Sequence, residues 1–111
     1  MDSQLDMQNT DTQIFIQTDL QFWNLVVGDV KKSHKASRAQ AFRDLLERQY
    51  IEHLKGNNKY ISAMVTGLAK SWVWDRMTVV KFLTSLEQLN VLTLDTLSNK
   101  KFFAVKYSIR E

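Results

Sequence analysis

The sequence predicts an α+β fold, with helices first and a β-hairpin at the C-terminal end. Three observations carry that expectation. Apolar residues recur at helical spacing behind capping signals in several stretches between Thr18 and Leu89. Strict alternation then takes over, with Leu92 and Leu94 against Thr93 and Asp95, and Phe103, Val105, Tyr107 and Ile109 against Phe102, Ala104, Lys106 and Ser108. The polar, basic stretch Ser98-Asn99-Lys100-Lys101 separates the two alternating runs, as a hairpin tip would.

The elements follow in order. Residues 1–11 lack periodicity and are expected to form a disordered tail, with 12–111 making one domain. Gln13 to Ile16 is a short β-like run. Thr18 and Gln21 have the spacing of a capping box, and Trp23, Val26, Val27 and Val30 follow as a helical stripe. The helix is expected to end near Lys32. A second capping box, Ser37 with Gln40, opens a longer helix with Ala41, Phe42, Leu45, Leu46, Ile51 and Leu54 on its apolar face. Gly56-Asn57-Asn58 stops it.

From Lys59 to Ile61 a small strand is expected. Ser62 is then placed as the cap of a brief helix, Ala63 to Lys70, with Val65, Leu68 and Ala69 inward. After the tight connection Ser71-Trp72-Val73-Trp74, Asp75 caps the clearest helix, where Val79, Phe82, Leu83 and Leu86 form one stripe. Asn90 suits a left-handed position after it.

Composition narrows the function classes. In 111 residues there are six Phe, three Tyr and three Trp, enough apolar bulk for one core. Cysteine is absent, so disulfides and thiolate metal sites are excluded. No signal-peptide pattern opens the chain and no segment is long enough to span a membrane, so an intracellular, cytoplasmic protein is the expected default. Met1 to Gln17 carries three Asp and no base; the rest holds all fifteen Lys and Arg against nine acids, a balance of +6. A basic body favours anionic partners, nucleic acid first. No Gly-rich phosphate loop, nucleophile–His pair or carboxylate cluster is present, and His34 and His53 lack metal-ligand spacing. The expectation is a protein without catalysis, cofactor or metal.

From Lys59 the order is short strand, short helix, turn of three or four residues, longer helix, hairpin. Two helices joined so closely are the helix-turn-helix unit, and the added hairpin is the wing. The full expectation is a winged helix-turn-helix over 59–110, with two additional N-terminal helices and a C-terminal β-hairpin wing. Such a unit places its second helix in the major groove of double-stranded DNA.

Tyr60-Ile61-Ser62, Leu68-Ala69, Trp72, Trp74-Asp75-Arg76, Val79, Phe82-Leu83, Leu86-Glu87 and Val91-Leu92 resemble the winged-helix domains of phage and mobile-element replication proteins. These are the replisome organisers or DnaD-like N-terminal domains. The resemblance covers about fifty residues and extends loosely back through Ser37 to Glu47. It implies DNA binding in replication initiation of a bacterial, phage or mobile element, with replisome proteins as further partners. A small transcriptional regulator and a protein-docking module are the alternatives.

With the stripe from Val79 to Leu86 inward, Arg76, Met77, Thr78, Val80, Lys81, Thr84 and Gln88 face outward, and Met77, Lys81, Thr84 and Gln88 form one row. The expected DNA-binding residues are Lys70 and Ser71 before the turn, Arg76, Met77, Thr78, Lys81, Thr84 and Gln88 on the helix, and Lys100 and Lys101 at the wing tip. Trp72 and Trp74 are read as core, Phe102 as packing under the wing, and Lys31-Lys32-His34-Lys35 as a solvated loop with a weaker claim on DNA. The apolar first helix, with Ile14 to Ile16, also offers a homodimer contact through residues 12–32.

Overall fold

The computed structural model describes residues 13–27, 35–56, 60–97 and 100–110. It is α+β, with four helices and two small antiparallel sheets among the described residues: β1 (Gln13–Phe15), α1 (Leu20–Val27), α2 (Arg38–Leu54), α3 (Val65–Trp72), α4 (Arg76–Gln88), β2 (Leu92–Leu97), β3 (Lys100–Val105) and β4 (Ser108–Arg110). Residues 1–12 with the expected tail, residues 28–34 with Val30 and the expected end of the first helix near Lys32, the expected stop at 57–58, Lys59, the expected hairpin tip at 98–99 and residue 111 lie outside the described residues.

Helix α1 differs from its expected capping and facing. Asp19, not Thr18, is its cap: the Asp19 carboxylate accepts from the Phe22 amide at 3.0 Å. Thr18 instead takes the Trp23 indole N–H at 3.0 Å. Phe22 and Val26 are buried, while Trp23 is 50% and Val27 67% exposed. Both stripes have helical spacing. The one through Phe22 wins because that ring meets Phe42 of α2 edge-on, with centroids 4.8 Å apart.

In α2 the capping box is present as expected, Ser37 accepting from the Gln40 amide and the Gln40 side chain from the Ser37 amide. Ala41, Phe42 and Leu45 are buried, but Ile51 and Leu54 are exposed. The inner face continues instead through Gln49 and Glu52. Gln49 is there for a reason: its Oε1 accepts the buried Val105 amide at 2.8 Å, a donor the sheet does not use.

Of the small strand expected from Lys59 to Ile61, the described residues Tyr60 and Ile61 form no strand: the Ile61 N–H bonds to the Phe103 carbonyl at 2.8 Å, and no ladder extends from it among the described residues. Ser62 is exposed and does not cap α3; Met64 takes that position, with no side-chain bond. Helix α3 therefore starts two residues later than expected and absorbs Ser71 and Trp72, leaving a three-residue turn, Val73 to Asp75. Val73 closes α3 in the left-handed region at φ 57°, unusual for a β-branched residue. The Trp74 amide bonds back to the Ala69 carbonyl at 2.9 Å and holds the turn shut.

Asp75 caps α4, its carboxylate accepting from the Thr78 amide at 2.7 Å. Val79, Phe82, Leu83 and Leu86 are all buried. Each contributes about 1.5–3 kcal/mol through removal from water. Asn90 takes the left-handed position at φ 66°. The hairpin pairs β2 with β3 in register from Leu92↔Val105 to Leu97↔Lys100. The alternating run does not continue as one strand to Ile109. It breaks after Val105, where the Lys106 amide turns to the Val91 carbonyl, and β4 pairs with β1 instead, Ile14 opposite Ile109.

Candidate nucleic-acid interface

Helix α4 is held by three aromatic rings. Trp72 and Trp74 meet at 5.0 Å between centroids, and both meet Phe82 edge-on, at 6.1 Å and 5.4 Å. Trp72 donates its indole N–H to Asp44 at 2.8 Å, and Trp74 donates to the Ala36 carbonyl at 2.8 Å. Both tryptophans are thereby committed to packing. They lock the turn to α2 and fix the direction in which α4 leaves the body.

Of the ten expected contact residues, nine are exposed: Lys70, Ser71, Arg76, Met77, Thr78, Lys81, Gln88, Lys100 and Lys101. Thr84 is half-buried, and so is Val80, which the helical pattern places outward. The cause is that α4 packs against β2 as well as α3, which narrows its solvent-facing sector. The single outward row through Met77, Lys81, Thr84 and Gln88 is therefore not one surface.

Its first two members part between two grooves. Arg76 and Met77, at the start of α4, share a groove of about 770 Å³ with Lys100, Lys101 and Phe102 of β3 and with the residues leading into α3. Its floor is apolar, with Met64 and Met77 both well exposed. Its three cations face no carboxylate among the lining residues. Phe102 is half-buried against Tyr60, with centroids 5.4 Å apart, and the Tyr60 hydroxyl donates to Asp95 at 2.6 Å. That bond raises the Tyr60 pKa and ties the segment before α3 to β2.

Thr78 and Lys81 line a second groove, of about 440 Å³, on the other flank of α4, opposite Leu25 of α1 and Lys35 and Arg38 at the start of α2. Asp75 lies in it too. Its pKa is lowered, first by the hydrogen bonds from Thr78 and then by the positive charges of Lys35 and Lys81. Lys70, Ser71, Thr84 and Gln88 line neither groove. The Ser71 hydroxyl accepts from Arg48 at 3.1 Å, and Arg48 in turn pairs with Asp44.

Lys35 belongs to the run given a weaker claim on DNA, and Arg38 is not among the contacts expected from the sequence; what sets both beside α4 is spatial. The bonds from Trp74 to Ala36 and from the Ala36 amide to the Trp72 carbonyl bring the start of α2 beside the start of α4. Among the described residues no three His, Cys, Asp or Glu side chains come together as a metal cluster, and no helix is long and apolar enough to cross a membrane. No protein-family model, no curated protein and no solved structure matches this chain.

Proposed function

We propose that this chain is a winged helix-turn-helix domain that binds duplex DNA through the first turns of α4 and the β2–β3 hairpin. The observation that carries the reading is the shared groove of Arg76, Met77, Lys100 and Lys101. Helix start and hairpin strand form one concave surface with three cations and no carboxylate among its described lining residues. The order around it supports the same reading: α3, a three-residue turn, α4, then a hairpin. Phosphate contacts by the lysines would supply affinity, and Arg76 with Met77 would meet a guanine edge or a thymine methyl. The resemblance to replisome-organiser domains suggests replication initiation of a phage or mobile element as the setting, with control of transcription as the alternative.

The test is fluorescence anisotropy with a labelled duplex at low salt, comparing the wild-type chain with Arg76→Ala and with the double substitution of Lys100 and Lys101 by Ala. Each base-reading contact removed is expected to cost about 1–3 kcal/mol. Binding that is absent, or unchanged in both variants, overturns the proposal.

A second reading, protein docking, is favoured by the apolar floor of the same groove, where Met64, Met77, Val80 and Phe102 offer a site for an apolar side chain. Under that reading a replisome protein shifts the resonances of these residues and DNA does not. Self-association through residues 12–32 has Leu20, Trp23 and Val27 exposed along α1 in its favour. Light scattering tests it.

A further inference from the structure

We infer that the groove between the start of α4 and β3 is the docking site of this chain's own N-terminal segment, residues 2–11, which competes there with DNA. The competition rests on the DNA reading of that groove; the docking itself does not.

The groove combines two chemistries that a duplex does not use together. Arg76, Lys100 and Lys101 line it with an apolar floor to which Met64 and Met77, 63% and 66% exposed, contribute with the half-buried Val80 and Phe102. A phosphate backbone engages the cations but gains nothing from four apolar side chains. An exposed apolar patch bordered by polar groups marks a surface that binds a partner, and methionine, unbranched and polarisable, adapts to the side chain it meets. The occupant that fits both parts is a peptide with apolar side chains next to carboxylates.

The start of this chain has that composition. Residues 1–12 lie outside the described residues, and they carry Asp2, Asp6 and Asp11 with no Lys or Arg. Leu5 and Met7 stand on either side of Asp6. Three carboxylates on the segment thus match three cations among the described lining of the groove. The tether is long enough. Gln13 pairs with Arg110, eight residues along the chain from Phe102. That path bounds the distance from Gln13 to Phe102 at roughly 34 Å, while twelve extended residues span up to about 40 Å. Being on the same chain, the segment acts at an effective concentration on the order of millimolar, so a contact too weak for a separate peptide still forms.

Two measurements on the full chain test this. The chain has no cysteine, so Ser3→Cys gives a single attachment point for a nitroxide. Without DNA and at low salt, the label is expected to broaden the amide signals of Met64, Met77 and Phe102 more than those of Arg43 and Glu47 on the exposed side of α2. Broadening that is even over the surface, or absent at the groove, overturns the inference. Broadening that vanishes when labelled chain is diluted with unlabelled chain means that one copy's segment sits on another, and overturns it too.

The second measurement is duplex affinity. A segment whose own Kd is about half the effective concentration occupies about two thirds of the chains, so its release tightens duplex binding about threefold. That change is expected for Leu5→Ser with Met7→Ser, which keeps every charge, and a larger one for Asp2, Asp6 and Asp11 all replaced by Asn. Tightening in the Asn variant alone is charge repulsion at a distance and overturns the competition. Groove broadening in a chain that binds no duplex upholds the docking and removes the DNA reading. Duplex binding without groove broadening overturns the docking and leaves the DNA reading intact.

Discussion

Gln49 of α2 and Val105 at the end of β3 are joined by one buried hydrogen bond, Oε1 accepting the Val105 amide at 2.8 Å across 56 residues of chain. Gln49 itself is 1% exposed. The bond seats the hairpin on α2 and so fixes where Lys100 and Lys101 stand relative to α4. Replacing Gln49 by Leu preserves bulk but orphans the buried donor. The expected loss is about 1–3 kcal/mol, read as a lower urea midpoint with unchanged slope. A midpoint equal to wild type would show that the bond does not hold the hairpin.

Asp44 accepts from both Trp72 and Arg48, each at 2.8 Å. Asp44→Ala leaves the indole N–H of a buried tryptophan without its acceptor and frees Arg48 from the helix surface. A destabilisation of about 1–3 kcal/mol is expected, with a shift in tryptophan emission. Arg48→Ala leaves the indole bond in place and should cost much less.

Asp75 has two opposed effects. As the cap of α4 it stabilises the fold, and as a carboxylate beside Lys35 and Lys81 it repels phosphate. Asp75→Asn should therefore lower the melting temperature slightly while tightening duplex binding equally for all sequences. The pH dependence follows from its lowered pKa. The contribution is fully present above the unfolded-state carboxylate value and is lost as pH falls through the lower folded value. The variant's melting temperature should fall less than wild type's across that acid window.

Val73 holds φ 57° at the end of α3, a conformation that costs a side-chain-bearing residue about 1–2 kcal/mol. Val73→Gly removes that strain while adding freedom to the unfolded chain, about 0.5–1 kcal/mol in the other direction. The net expectation is no loss of stability, against the clear loss usual for glycine in a helix. A destabilised Val73→Gly would mean the turn does not need a left-handed residue.

Much of this fold is legible in the sequence wherever a cap and a periodic stripe coincide. Asp75 with Val79, Phe82, Leu83 and Leu86 is the clearest case, and Ser37 with Gln40 is another. The pattern misleads where two stripes are equally periodic. On α1 nothing local separates Phe22 with Val26 from Trp23 with Val27; only Phe42 decides. Local pattern does not place Gln49 and Glu52 inside, since the group Gln49 satisfies lies on a distant strand. Val73 carries no turn signal at all.

The candidate site is legible residue by residue but not as a surface. Exposure of Arg76, Lys81, Lys100 and Lys101 follows from the buried stripe and the alternating hairpin. That Arg76 faces the hairpin while Lys81 faces α2 follows from how Trp74 anchors the turn to Ala36, a bond between residues 38 positions apart.

The central claim, that α4 and the hairpin form a single DNA-binding surface, meets its most direct test in a chemical-shift titration with random-sequence duplex at low salt. The account predicts shifts concentrated on Arg76 to Thr84 and on Lys100 to Phe102, moving together along one binding curve. A flat response over those residues, or shifts confined to α1, would contradict it.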